Sequence, residues 1–330
     1  MSPLRLAVGC GDYDRTRALF TGFFQAKGIE LDWKPSQEAA HELFVRVLRG
    51  EFDVSEMSTS GLTALIARGS DELVGLPVFT SRLFRHSFLF INSACGIERP
   101  RDLAGRRVGV TDYSITASVW IRGFMQHDYG VAPEQMTWFE GPLDVPGHVV
   151  PLARQRPGNV QIQPIPPGAT LSGLLEAGEL DALVCAAVPD CFRRHSPNVR
   201  RMFPNYQEVE ADYYRRTGIQ PIMHTMVVRR NVYEQHPWVA RSLYEAFERS
   251  KQMCYRWLEE TGAPRTSLIW LQAHAAAERE IFGPDPWPYG VEANRKTLEA
   301  LVTYAHEQGL AERLVAPEEL FAEETLTPAQ

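Results

Sequence analysis

The feature that most constrains this chain is a series of short apolar runs alternating with segments of helical period. Leu4 to Gly9 has strand length and is closed by Gly11-Asp12; Asp14 then stands at a cap position ahead of Leu19, Phe23 and Phe24 at helical spacing. The same reading predicts strands at Ile29 to Trp33 and Phe52 to Glu56, with helices at Glu38 to Leu48 and Ser60 to Ala67 stopped by Gly50 and Gly69. Helices that cross between successive strands make those strands parallel, so the expected fold class is α/β with a largely parallel sheet.

The plan then repeats. After Pro100, Arg107 to Thr111 reads as a strand and Thr116 to His127 as a helix. RLAVGCGDY (Arg5 to Tyr13) and RVGVTDY (Arg107 to Tyr113) both place Asp-Tyr just past a strand, and RGEFDV (Arg49 to Val54) is echoed by AGELDA (Ala177 to Ala182). A chain of 330 residues has room for two such domains. Residues 1–90 with 225–330 are expected to form a first lobe carrying C-terminal helices and 91–224 a second, with a hinge near 90 and 224. Seven prolines between Pro142 and Pro167 predict an irregular loop. Pro237 opens a long helix bearing Leu243, Phe247, Cys254 and Trp257, and a last helix runs from about Val291 to His306.

Charge and cysteine usage exclude several functions. With 34 basic and 41 acidic side chains the net charge is −7, against a nucleic-acid partner. Only four of the basic residues are lysines (Lys27, Lys34, Lys251, Lys296), which disfavours Schiff-base chemistry. Five cysteines without a C-x-x-C pair indicate neither a zinc knuckle nor a disulfide framework, and fit a reducing, cytoplasmic setting. Leu6 to Cys10 faintly resembles a lipoprotein cleavage site but lacks the apolar region of a signal, and no run is long enough to span a membrane. No G-x-G-x-x-G or P-loop follows the first strand, and no metal motif appears, although a divalent metal held by distant residues is compatible with the sequence. The oligomeric state is not legible.

In parallel α/β sheets ligands sit beyond the carboxyl ends of strands. That rule selects Asp12, Tyr13 and Arg15 after the first strand, Ser58, Thr59 and Ser60 after the third, and Tyr113, Ser114 and Thr116 in the second domain; Ser60 and Ser114 also read as simple helix caps. TSRLFRHS (Thr80 to Ser87) concentrates Arg82, Arg85 and His86 between two apolar stretches, where two guanidinium groups would clamp carboxylates and His86 would move a proton. His224 lies in a second apolar run, PIMHTMVVRR, which reads as the strand returning to the first lobe.

Six segments together resemble 4,5-dihydroxyphthalate decarboxylase and its relatives: DYDRTRAL (Asp12 to Leu19), GEFDVSEMS (Gly50 to Ser58), FTSRLFRHSFLFIN (Phe79 to Asn92), ASVWIRG (Ala117 to Gly123), YYRRTGIQPIMHTMVVRR (Tyr213 to Arg230) and DPWPYGVEANRKTLE (Asp285 to Glu299). The resemblance implies a type II periplasmic-binding-protein-like fold and loss of carbon dioxide from a hydroxylated aromatic acid, a small aromatic carboxylate being the partner. Residue roles come from the chemistry. Direct loss of carbon dioxide would leave an unstabilised aryl anion, so the ring carbon is protonated first, which needs a general acid and a base at the phenol but no organic cofactor. His86 and His224 are the expected catalytic pair in the interlobe cleft, Arg82 and Arg85 the carboxylate clamp, and Tyr13 and Tyr113 the next acids. Two other classes compete. A solute-binding protein would share the fold and lack the chemistry, and a thiamin-pyrimidine synthase would need a clustered cysteine motif and a cofactor lysine that are not evident.

Overall fold

A computed structural model describes residues 2–36, 40–147 and 158–327. The strands of the first half are β1 (Leu4–Gly11), β2 (Ile29–Ser36), β3 (Val54–Ser58), β4 (Leu73–Arg82), β5 (Leu89–Asn92) and β6 (Arg107–Val110). They continue with β7 (Thr137–Glu140), β8 (Gln161–Pro164), β9 (Ala182–Val184), β10 (Val199–Arg201) and β11 (Ile222–Arg229). The chain divides into two compact units: Met1–Arg82 with Ile222–Glu299 and Val315–Gln330, and Leu83–Pro221 with Ala300–Leu314. The expected boundaries near 90 and 224 therefore move to 82 and 221, and residues 300–314, expected in the first lobe, join the second.

In the first unit the sheet order is β2-β1-β3-β11-β4. β1 runs parallel to β2 and β3, whereas β11, arriving from the far part of the chain, is antiparallel to β3 and β4. Leu6, Val8, Val54, Met57, Leu76, Val78, Met226 and Val227 are buried, so the apolar runs read from sequence do become the sheet of a core. The helix Trp238–Glu259 buries Val239, Leu243, Phe247 and Cys254, four positions at helical spacing. β4 also receives the C-terminal segment: Ala322 N–H donates to Gly75 O at 2.9 Å, and a Cβ on Gly75 would lie 2.3 Å from Leu320 O. Only glycine allows that approach.

The second unit has the order β10-β5-β9-β6-β7-β8, parallel from β9 to β8, with β5 antiparallel to both its neighbours. Its long helix, Thr116–Tyr129, ends on Gly130 in the left-handed region. The reading of Pro142 to Pro167 as irregular needs correction, since β8 lies within it and pairs with β7; residues 148–157 of that stretch fall outside the described residues. One other expectation shifts: the helix expected to carry Phe23 and Phe24 is a single turn, Arg17–Phe20. The C-terminal helices include Leu271–Phe282, which carries His274 and buries none of its residues. Among the described residues no helix is long and apolar enough to cross a membrane.

Candidate active site

Polar side chains of the first unit converge on Glu56, a residue that no motif pointed to. Every residue of β3 is buried, so a carboxylate there must be met by donors. On β11, His224 stands opposite Ser58 and Met226 opposite Glu56; residues two apart share a face, which makes His224 and Glu56 diagonal neighbours. The register between β11 and β4 shifts on both sides of His224, an irregularity of the kind that re-aims a side chain. His224 Nδ1 lies 2.5 Å from Glu56 Oε1, and the Tyr13 hydroxyl donates to the same oxygen at 2.8 Å. Glu56 Oε2 accepts from Gly11 N–H at 3.2 Å and from the Cys10 thiol at 3.6 Å. The carboxylate is wholly buried while the His224 side chain is 20% exposed.

This geometry fixes protonation states. Burial alone would raise the Glu56 pKa, but the hydrogen bond and charge of His224, then Tyr13 and Gly11 N–H, outweigh it and hold the carboxyl below its ordinary value. An ionised carboxylate only accepts, so His224 Nδ1 carries the proton and Nε2 remains for another partner. The edge of Phe44, with ring centres 5.0 Å apart, confines the imidazole. Burial and then the charge of Glu56 raise the Tyr13 phenol, which therefore stays protonated.

Arg15 adjoins this dyad through Tyr13. Its guanidinium carbon lies 4.3 Å from the Tyr13 ring centre and 4.2 Å from that of Trp287. Nε and Nη2 both donate to Thr80 O and Nη1 to Asp14 Oδ1 at 3.2 Å. Three of the five guanidinium donors are taken, leaving, among the described residues, one on each terminal nitrogen. Asp12, by contrast, is exposed and pairs with Arg17 at 2.9 Å. Ser58 is the cap of the helix Thr59–Ala67, accepting from Gly61 N–H at 3.2 Å, and Ser60 lies beside it with hydroxyls 3.3 Å apart. The expected cap at Ser60 is thus two residues late. Thr59 donates to Met223 O at 3.1 Å.

Arg82 ends the first unit's β4, whereas Arg85 belongs to the second unit. Arg82, 5% exposed, donates to Pro288 O at 3.0 Å and to Asn294 Oδ1, which ties β4 to the 288–294 segment. Arg85 is buried, donates to Ala186 O at 3.0 Å and lies over the Phe88 ring; burial lowers its pKa to about 10, so it remains a cation.

His86 is the main correction. Its side chain is 1% exposed, stacks on Phe124 at 4.1 Å with the planes 13° apart, and meets the Phe203 and Tyr213 rings at 5.3 Å. Burial, then the charge of Arg216, lowers its pKa to about 3. The imidazole expected to move a proton is thus kept neutral and packed among aromatic rings of the second unit, with Nδ1 3.9 Å from Glu210 Oε1. In the same unit Arg122 lies 3.5 Å from the Tyr113 ring centre and donates to Tyr113 O at 2.6 Å. Asp112 accepts from both Ser114 N–H and its hydroxyl at 2.7 Å, so Ser114 closes a turn instead of capping a helix. Thr116 is buried at the start of the helix Thr116–Tyr129. The Asp-Tyr echo read from sequence thus recurs as a tyrosine under a guanidinium in each unit, at Tyr13 and Tyr113. Among the described residues no three His, Cys, Asp or Glu side chains are grouped to hold a metal ion.

Comparison with known proteins places the chain. It is 35% identical over 322 residues, 97% of each sequence, to the 4,5-dihydroxyphthalate decarboxylase of Comamonas testosteroni. The chain belongs to the 4,5-dihydroxyphthalate decarboxylase family. A second relative, the 4,5-dihydroxyphthalate decarboxylase of Pseudomonas putida, is 34% identical over 216 residues, 65% of this chain and 83% of that one. No family model matches. Among solved structures, the periplasmic aliphatic sulphonate binding protein SsuA from Escherichia coli superposes with a TM-score of 0.56 at 12% identity, over 98% of this chain and 99% of that one. SsuA from Xanthomonas axonopodis pv. citri, bound to MOPS, gives 0.52 at 13% identity over 97% and 99%. Likeness at such identities establishes the fold, which is periplasmic-binding-protein-like.

Proposed function

We propose that the protein decarboxylates a hydroxylated aromatic dicarboxylate of the 4,5-dihydroxyphthalate type, with His224 as the proton donor. The observation that carries this reading is the His224–Glu56 pair, partly exposed at one end and sealed at the other, in a chain that belongs to a decarboxylase family. In such a substrate each carboxylate has a hydroxyl para to it, and electron density from that hydroxyl collects on the carbon bearing the carboxylate. That carbon takes a proton from His224 Nε2. The bond to the carboxylate then breaks, its electron pair restores the aromatic ring, and carbon dioxide departs. The imidazole takes its replacement proton from water, so one proton is consumed per turnover. Glu56 stabilises the imidazolium before the transfer and holds Nδ1–H of the neutral ring after it, and a positioned acid of this kind is worth ~10²–10⁴ in rate.

Arg15 is the carboxylate anchor in this reading. Its planar guanidinium is fixed at Thr80 O with two donors to spare, the arrangement that suits a carboxylate, and Tyr13 links it to Glu56. The phenol itself supplies the electrons, so the scheme uses no organic cofactor. All five cysteines are unpaired thiols, which supports a reducing, cytoplasmic setting. Membership of a decarboxylase family favours this reading over a solute-binding protein on the same fold. The test is to incubate the purified protein with 4,5-dihydroxyphthalate in heavy water: carbon dioxide should be released and deuterium should occupy the vacated ring position. Saturable binding with no carbon dioxide would make it a binding protein.

A further inference from the structure

We propose that Trp287 is a positioning residue for Arg15, held there by a lock of Lys251, Asp285 and Tyr255. The proposal rests on the reading of Arg15 as the carboxylate anchor. Lys251, on the helix Trp238–Glu259, is wholly buried, with Nζ 2.7 Å from Asp285 Oδ2 and 3.1 Å from Glu248 Oε1. A buried ammonium is tolerated only when it is paired, and this pairing joins a helix to an otherwise irregular segment, Asp285 to Gly290. Tyr255 completes the joint by donating to Asp285 Oδ1 at 2.6 Å and accepting from Trp287 N–H at 3.0 Å.

The far side of the segment is laced to β4. Trp287 Nε1 donates to Phe79 O at 2.7 Å, Gly290 N–H donates to Pro77 O at 2.8 Å, and Pro288 O accepts from Arg82 Nη1 at 3.0 Å. Pro77 and Phe79 lie where the pairing of β4 with β11 jumps from Leu76 to Ser81, so their carbonyl groups are turned to the segment instead of to the ladder. The outcome is a ring set 4.2 Å from the Arg15 guanidinium carbon, with Tyr13 at 4.3 Å. An arginine carries several rotatable bonds, and flanking it with two rings leaves its edge available while removing its freedom to turn away. The hydroxyl of Tyr13 runs on to Glu56, so a carboxylate held by Arg15 is indexed to the imidazole.

Such a role predicts a defect in binding, not in chemistry. Trp287→Leu should raise KM for 4,5-dihydroxyphthalate at least tenfold with kcat within threefold, and should weaken phthalate binding, measured by calorimetry, by the same factor. Trp287→Phe, which keeps a ring, should restore both to within about threefold. Added to Arg15→Ala, Trp287→Leu should have almost no further effect on phthalate affinity. If the leucine variant fails to fold, Trp287→Met carries the same comparison. A full tenfold loss on the Arg15→Ala background, or an unchanged KM, overturns the proposal and leaves the decarboxylase reading intact. A parent protein that neither binds phthalate nor releases carbon dioxide overturns both.

Discussion

Glu56→Gln isolates what the buried carboxylate contributes. The amide has the same shape but no charge, and it offers one accepting oxygen where the carboxylate offers two. Glu56 now accepts from His224 Nδ1 at 2.5 Å and Tyr13 at 2.8 Å on one oxygen, and from Gly11 N–H at 3.2 Å on the other. Whichever way the amide lies, its NH₂ group faces a donor, and a buried donor left without an acceptor costs about 1–3 kcal/mol of stability. For activity the lost interaction is the charge-assisted bond to His224, worth about 1.5–3 kcal/mol, which at 1.36 kcal/mol per decade is roughly 10–150-fold. Because Glu56 touches His224 and not the substrate in this account, the loss should fall on kcat, with KM within threefold. Carbon dioxide release under steady-state conditions separates the two constants, and urea unfolding reports stability. A Glu56→Gln enzyme with unchanged kcat would refute the reasoning, as would one whose defect lies wholly in KM.

Three further outcomes follow from the second unit. Burial raises Glu210 from 4.5 to about 7 against its hydrogen bonds from Ser87; between those values the folded protein holds a proton that the unfolded chain has lost, so stability falls as pH rises, by about 3 kcal/mol at 1.36 kcal/mol per pH unit. Glu210→Gln should therefore match the parent below about pH 4.5 and exceed it above pH 7 in urea unfolding. His86→Phe should leave carbon dioxide release within about threefold and should not lower stability, because neither ring nitrogen has a hydrogen-bond partner to lose. Gly123→Ala should destabilise by about 1–3 kcal/mol in the same unfolding assay, since a Cβ there would lie 2.0 Å from the Tyr304 ring, which is itself packed on Trp120.

Much of the fold was legible because it is written locally. Apolar runs of strand length, glycine stops at Gly50 and Gly69, and the return run that became Ile222–Arg229 all gave the elements they predicted. What escaped was set by pairing at long range. His86 and His224 look alike in sequence, each beside apolar residues, and they differ only in what the fold brings to them: four aromatic rings in one case, a carboxylate 168 residues away in the other. Arg82 and Arg85 are three residues apart, yet the boundary at residue 82 assigns them to different units. For Glu56 there was one signal, a lone acidic residue inside a strand of small and apolar neighbours, and it can be weighed only once that strand is known to be buried on both faces. Trp287 and Lys251 gave no signal of a shared task, since their link passes through Asp285 and Tyr255.

The most direct test of the central claim is the turnover of 4,5-dihydroxyphthalate by the His224→Asn protein beside the parent, with carbon dioxide as the readout. The amide partly keeps the hydrogen-bonding pattern of the imidazole, but the transferable proton is gone. The account predicts sustained release by the parent and a loss of at least ~10²-fold in the variant, with phthalate still bound. Equal release by the two proteins, or none by the parent, would contradict it.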